Sequence, residues 1–282
     1  MNSSSPTSPK AKKCVLVTGA AKRVGQAIAI HFAEQGWDVA VHYGQSKTEA
    51  DETVAVIQKL GSRAMAFQAD LASEPEITAL FHAVTANLGA MDCIVNSASQ
   101  FEYDRASAEP QLINTVFFQK MMQVNVLAPV LLAQLLYRQQ KSRAADVSPN
   151  GDIPAVIQLL DQKLINLNPD YFSYTLSKGA LDYAGQMMAM DFAPYLRVVG
   201  LAPGISLPSG PQSEDGFKAA HTDDGFKAAH TMTPLKRSST PIDIARAAVF
   251  IAESNAITGT TIYVDGGQHL MPSSRDVMFK TE

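Results

Sequence analysis

Tyr174 and Lys178 stand four residues apart in Tyr174-Thr175-Leu176-Ser177-Lys178, a spacing that places both side chains on one face of a helix. The surrounding sequence predicts that helix: few breakers interrupt residues 173–191, and Pro194 lies beyond them. A free tyrosine titrates at about 10 and is a poor acid–base group at neutral pH. A neighbouring ammonium favours the phenolate and lowers that value. Such a pair can move a proton to or from a carbonyl or imine while another group moves a hydride. Solvated helix pairs share the spacing, so its meaning depends on what the rest of the chain delivers to that helix.

The chain's 282 residues fit one large α/β domain or two small ones. Hydrophobic residues are 46% and charged residues 18%, an ordinary globular balance. A net charge of −4 without a Lys/Arg block argues against a nucleic-acid partner. Cys14 and Cys93 adjoin apolar runs, which predicts buried free thiols and a reducing, cytoplasmic compartment. The longest apolar stretch, 126–137, contains Pro129 and is too short to span a bilayer, so no membrane partner is expected. Residues 1–12 are polar, lack the apolar core of a secretory signal, and are expected to form a flexible tail.

The elements that must position the Tyr174 helix follow in order. Cys14-Val15-Leu16-Val17 reads as a strand buried on both faces. It runs into Thr18-Gly19-Ala20-Ala21-Lys22-Arg23-Val24-Gly25 and then a helix over 26–35. Strand, glycine turn and helix together form the context of a dinucleotide-binding turn. Gly19 allows the tight turn, the helix N-terminus attracts a pyrophosphate, and Gly25 allows close packing. The second strand, 38–43, ends in His42-Tyr43-Gly44-Gln45-Ser46-Lys47 with no Asp or Glu to hold ribose hydroxyls. Hydroxyls and cations there, with Arg23 reaching the same region, predict NADP(H) rather than NAD.

Strands at 64–69, 91–95, 153–160, 196–202 and 261–264 alternate with helices at 49–60, 77–88, 121–139 and 242–253. This pattern predicts an α/β fold, a Rossmann-type doubly wound seven-stranded parallel sheet with helices on both faces. Asp70-Leu71, Asn96-Ser97-Ala98-Ser99, Asp161 and Pro203-Gly204-Ile205-Ser206 fall at carboxyl strand ends, the ligand side of such a sheet. Asp70 suits either an adenine amino group or the cap of the next helix. Asn125 is polar in an apolar stretch and needs partners if buried. Residues 207–233 form a long connection, expected as a substrate loop or lid. In it, Asp215-Gly216-Phe217-Lys218-Ala219-Ala220-His221-Thr222 recurs nine residues later from Asp224 to Thr231. Two copies read as a local duplication in a tolerant loop, and the repeated histidines lack a third ligand for a metal.

Taken together, the glycine turn, Asn96-Ser97-Ala98, Asn125, Tyr174-Thr175-Leu176-Ser177-Lys178, Pro203-Gly204 and Val264-Asp265-Gly266-Gly267 resemble the short-chain dehydrogenase/reductase family. The resemblance covers residues 13–270 as a single domain, with a C-terminal tail over 271–282. Arg23 stands where the family usually has a second glycine, and Asp161 where it usually has a serine thirteen residues before the tyrosine. These departures, with His42 to Ser46 and Ser99-Gln100-Phe101, look like the pteridine reductase branch, which includes dihydromonapterin reductases. Gln45 stands where that branch often carries a basic residue.

The resemblance implies a catalytic set of Asp161, Tyr174, Lys178 and Asn125, with Asn125 holding a water that links Lys178 to solvent. It implies cofactor contacts from Gly19, Arg23, Val24, Gly25, Tyr43, Ser46, Asp70, Leu71, Asn96, Ala98, Ser99, Tyr174, Lys178, Pro203, Gly204 and Ser206. It implies substrate contacts from Ser99, Phe101, Asp161 and Tyr174, with Phe101 stacking the pterin. The expected reaction is NADPH-dependent reduction of a dihydropterin or dihydrofolate, in a homotetramer. A carbonyl or 3-oxoacyl-thioester reductase, or a non-catalytic NADP(H)-binding protein, would share the fold and cofactor.

Overall fold

Val15 and Val17 pack against one layer of helices, and Cys14 and Leu16, their neighbours on the same strand, pack against the other. That is the period-two alternation of a strand covered on both faces. A computed structural model describes residues 12–110, 112–143, 151–207 and 229–276. Its seven strands are β1 (Cys14–Val17), β2 (Asp38–Tyr43), β3 (Ala64–Gln68), β4 (Cys93–Asn96), β5 (Ala155–Leu159), β6 (Arg197–Pro203) and β7 (Thr261–Val264). They form one parallel sheet in the order β3-β2-β1-β4-β5-β6-β7. The order reverses between β1 and β4, which opens the ligand crevice of a doubly wound sheet there.

Helices α1 (Arg23–Glu34) and α2 (Lys47–Lys59) cover one face, with Ile28, Phe32 and Ile57 fully buried. Helix α3 (Glu74–Leu88) covers the other face through Ile77, Leu80 and Val84. It starts three residues before the sequence pattern suggested, because Glu74-Pro75-Glu76 builds its first turn. Proline has no N–H to lose there, and the acids oppose the positive helix end. Cys14 and Cys93 are buried free thiols on neighbouring strands.

The next helical run differs most from expectation. It begins at Thr115, where the Asn114 side chain accepts the Phe117 N–H at 3.0 Å. Helix α4 (Thr115–Met122) passes through a π-turn (Gln123–Leu127) into α5 (Ala128–Arg143). Pro129 explains the widened turn: four residues after Asn125, it has no N–H to give that carbonyl. The joined run of 29 residues is long and apolar enough to cross a bilayer. Here Met121, Ala128, Leu132 and Leu136 are buried within the fold. Helices α6 (Phe172–Asp191) and α7 (Pro241–Glu253) complete the two layers, and Thr240 and Asp243 cap α7 reciprocally.

His42 fastens the glycine turn to the sheet. Its Nδ1 accepts the Gly19 N–H at 3.1 Å, and its Nε2, which then carries the proton, lies 3.2 Å from the Ala69 carbonyl. Burial lowers its pKa from 6.5 to about 4. The stabilisation is therefore complete above pH 6.5 and is lost as pH falls toward 4. We expect thermal melts to show a loss of about 3 kcal/mol from this residue by pH 4. In His42→Asn the acid-dependent part of that loss should disappear.

Candidate active site

Tyr174 lies in the first turn of α6, buried, and donates its hydroxyl to Asp161 Oδ2 at 3.2 Å. Asp161 stands two residues after β5 and caps a short 3-10 turn (Gln162–Leu164), its Oδ1 accepting the Lys163 N–H at 2.9 Å. The cap and the phenol contact use different carboxylate oxygens, so Asp161 makes both at once. Burial raises the Asp161 carboxyl, opposed by the Lys163 N–H and by the Lys163 and Lys178 charges. Lys178, one turn along α6, donates to the Leu159 carbonyl at 2.7 Å. Burial lowers its pKa to about 8, and the Asp161 charge opposes that shift.

The expectation that Lys178 depresses the tyrosine is overturned. Tyr174 is raised well above its ordinary value, first by burial and then by the charge and hydrogen bond of Asp161. The Lys178 ammonium stands 5.6 Å from the ring centre and is engaged with Leu159, while the carboxylate touches the hydroxyl. In this structure the phenol is the proton donor to Asp161.

Asn125, 1% exposed, satisfies both ends of its side chain. Its Oδ1 accepts from the Gln100 N–H at 2.7 Å and from Ser99 Oγ at 3.2 Å. Its Nδ2 donates to the Gln100 carbonyl at 2.9 Å and to Ser177 Oγ at 3.0 Å. These bonds lock the loop after β4 to the Tyr174 helix, so the Asn125 side chain positions both. Phe101, on that loop, stacks on Tyr171 with centroids 4.5 Å apart and meets Tyr174 edge-on at 4.7 Å. One ring face is thus already covered, which the expectation of a pterin stacked on Phe101 did not include.

A cavity of about 260 Å³ joins these groups. Arg23, Val24, Phe101, Asp161, Tyr174, Pro203, Gly204 and Ser206 all line it. Arg23, expected near the end of β2, is thus a wall of the catalytic recess, and its backbone lies in the left-handed region (φ 58°). The residues toward β1 fit a dinucleotide. The N-terminus of α1 has no side-chain cap and no acid in its first turn, as an anion site needs. A Cβ on Gly25 would lie 2.3 Å from the Gly19 carbonyl oxygen, and one on Gly19 would lie 3.0 Å from Ala98 Cα. The turn thus sits hard against the end of β4, where Thr18 Oγ1 also accepts the Ser97 and Ala98 N–H groups, both at 3.0 Å.

At the end of β2, Tyr43 and Ser46 are half-buried, and the Ser46 hydroxyl makes no cap bond at the start of α2. Lys47 is paired with Asp51 at 2.6 Å, and Lys22 with Glu49 at 2.5 Å. Asp70 uses Oδ1 to accept the Ala72 N–H at 2.9 Å, and Leu71 is buried. Asn96 is buried too, donating to Gln158 Oε1 at 2.9 Å across the β4–β5 pair. Among the described residues no group of three His, Cys, Asp or Glu could hold a metal. The first copy of the duplicated segment and most of the second lie outside the described residues. His230 of the second copy lies 3.1 Å from the Ser239 carbonyl and accepts the Ser238 N–H at 3.3 Å.

Three participants escaped sequence reasoning. Lys163, whose side chain is 4% exposed, lies 5.3 Å from the centre of the Tyr171 ring. Tyr171 precedes α6 in the left-handed region (φ 55°), which turns its ring onto Phe101. Asp276, from the segment read as a loose tail, lines the cavity. A lysine two residues after the strand-end aspartate was the visible signal for the first; nothing in the sequence pointed to the other two.

The family model described as enoyl-(acyl carrier protein) reductase matches residues 19–269. The chain is 31% identical to 7alpha-hydroxysteroid dehydrogenase of Escherichia coli K12 over 258 residues, 90% of this chain and 93% of that one. It is 28% identical to glucose 1-dehydrogenase 2 of Bacillus subtilis, over 93% and 96% of the two chains. Among solved structures it is similar to FolM alternative dihydrofolate reductase 1 from Brucella canis, complexed with NADP. That likeness has a TM-score of 0.81 and 32% identity over 94% of this chain and 97% of the other. The Brucella suis protein, also in complex with NADP, gives 0.78 and 31%, over 94% of this chain and 98% of that one.

Proposed function

Because the chain belongs to the short-chain dehydrogenase/reductase family and is an oxidoreductase of that family, we propose that it reduces dihydropterins, dihydrofolate among them, with NADPH. The observation that carries this reading is the hydrogen bond from Tyr174 to Asp161 on the wall of an aromatic-lined recess. A ketone needs one phenol to protonate its oxygen. A pterin offers ring nitrogens, and a carboxyl beside the phenol gives a proton to nitrogen more readily than a hydroxyl does. The likeness to two FolM reductases complexed with NADP supports both the substrate class and the cofactor.

The hydride is the contribution of bound NADPH. Tyr174 gives its proton toward the nitrogen of the reduced C=N bond, and Asp161 holds the phenol in line and shares that proton. Lys178 and the first turn of α1 orient the dinucleotide. The Ser46 hydroxyl and the start of α2, with Tyr43 beside them, provide the place for a 2′-phosphate, where no carboxylate ends β2 to repel it. Phe101, backed by the stacked Tyr171 ring, forms the aromatic wall for the pterin.

The purified protein should oxidise NADPH with a dihydropterin, and do so poorly with NADH or with a 3-oxoacyl thioester. Asp161→Ser should lower pterin turnover about 100-fold while NADPH still binds. Unchanged pterin turnover in that variant, or activity on the thioester alone, would remove the pterin assignment and leave a carbonyl reductase.

The same reading includes a homotetramer. Leu176, Tyr183, Met187 and Met190 of α6 are 46%, 71%, 60% and 75% exposed, an apolar stripe that a partner would cover. Light scattering should give four times the 30.3 kDa chain mass; a monomer mass would refute the assembly.

A further inference from the structure

The segment after Met271 is tied to the loop that carries Asp161 at several separate points. Asn166 Nδ2 donates to the Met271 carbonyl at 2.6 Å, and its Oδ1 accepts the Ser273 N–H at 3.2 Å. Asp170, with no exposed surface, accepts from Arg275 Nε at 2.9 Å and from the Asp276 N–H at 2.8 Å. Arg105 and Tyr103 approach the same carboxylate, each at 3.4 Å. A fully buried carboxylate with this many donors is readily kept charged and would be costly to leave without them. This clasp puts the Asp276 side chain into the cavity wall, where its Oδ2 meets Lys163 Nζ at 3.2 Å.

Lys163 then links the segment to the reacting pair. Its ammonium also donates to the Asp170 carbonyl at 2.7 Å, and its backbone N–H holds Asp161 Oδ1 at 2.9 Å. The same residue thus fixes one oxygen of Asp161, while Tyr174 takes the other. We propose that residues 273–276 are a working wall of the active site, and that the Lys163–Asp276 ion pair positions Asp161 and balances the charge around the Asp161–Tyr174 couple. The inference rests on Asp161 and Tyr174 acting in the reaction, not on which substrate they serve.

The charges that face the couple are Lys163 and Asp276 from the loop and the C-terminal segment, Lys178 from α6, and Arg23 across the cavity. Asp170, Arg105 and Arg275 compensate one another behind Lys163. Asp276 favours the protonated couple and Lys163 the deprotonated one, as their opposite effects on the Asp161 carboxyl indicate. Activity that needs a protonated couple is lost as pH rises past its pKa. Asp276→Asn leaves the Lys163 charge unopposed, so the alkaline limb of kcat should move down by about one pH unit. Lys163→Met removes that charge, so the limb should move up by a similar amount. In both, kcat at the optimum should fall about tenfold with the KM for NADPH unchanged, and Lys163→Arg should restore the original profile.

The test is kcat against pH for these variants on whichever substrate the wild type reduces, so failure of the pterin assignment leaves it intact. In parallel, the ultraviolet absorbance of tyrosinate is titrated in cofactor-free protein, each variant against its Tyr174→Phe double. The Tyr174 transition should move down in Asp276→Asn and up in Lys163→Met. Limbs and tyrosinate transitions that stay in place, or that move in the same direction in both variants, would overturn the proposal.

Discussion

A phenol bonded to a carboxyl in a recess is a demanding arrangement. Each partner is less stable charged than it would be in water, and each raises the cost of ionising the other. The hydrogen bond from Tyr174 to Asp161 persists only if surrounding groups hold both side chains and supply compensating charge. Most of the structure around the site meets that demand. The 3-10 turn after β5 gives Asp161 a backbone donor. The π-turn forced by Pro129 sets Asn125 where it joins the Gln100 backbone and the Ser99 hydroxyl to Ser177, and so holds the Tyr174 helix in place. Two buried lysines, Lys163 and Lys178, oppose the carboxylate charge from either side.

The dinucleotide side depends on close packing more than on charge. Gly19 and Gly25 leave no room for a Cβ, and Thr18 and His42 bond the turn to β4 and β2. The uncapped start of α1 lies where β1 and β4 diverge, with a positive helix end aimed at the crevice. Farther along the sheet, Gln268 Oε1 accepts the Ile205 N–H at 3.1 Å and so ties the turn after β7 to the cavity wall. The recess at Asp161 and Tyr174 and the crevice at the start of α1 therefore share walls, Arg23 and Val24 among them.

Much of this was legible because it is local. The glycine turn, the seven strands and the Tyr174–Lys178 spacing follow from short-range pattern, and the observed sheet is the doubly wound, seven-stranded parallel one they implied. The carboxylate at 161 was visible too, as a polar residue ending an apolar run. The helix start at Glu74 was read late because its polar first turn, Glu74-Pro75-Glu76, carries no hydrophobic period; those at Arg23 and Thr115 were read late as well. The pKa of Tyr174 was misjudged for a physical reason. Spacing along a helix reveals Lys178, but it shows neither the burial that raises the phenol most nor the Asp161 carboxylate that adds to it from the segment after β5. The role of Asp276 depends on a contact across more than a hundred residues, with Lys163, and no local signal announces it.

The most direct measurement is isotopic. NADPH deuterated at C4 of the nicotinamide is incubated with the protein and a dihydropterin, and the product is read by proton NMR. The account predicts one deuterium at the carbon of the reduced C=N bond of the tetrahydropterin, with label transfer suppressed in Asp161→Ser. Deuterium found only on the carbinol carbon of a ketone offered alongside, with the pterin unlabelled, would contradict it.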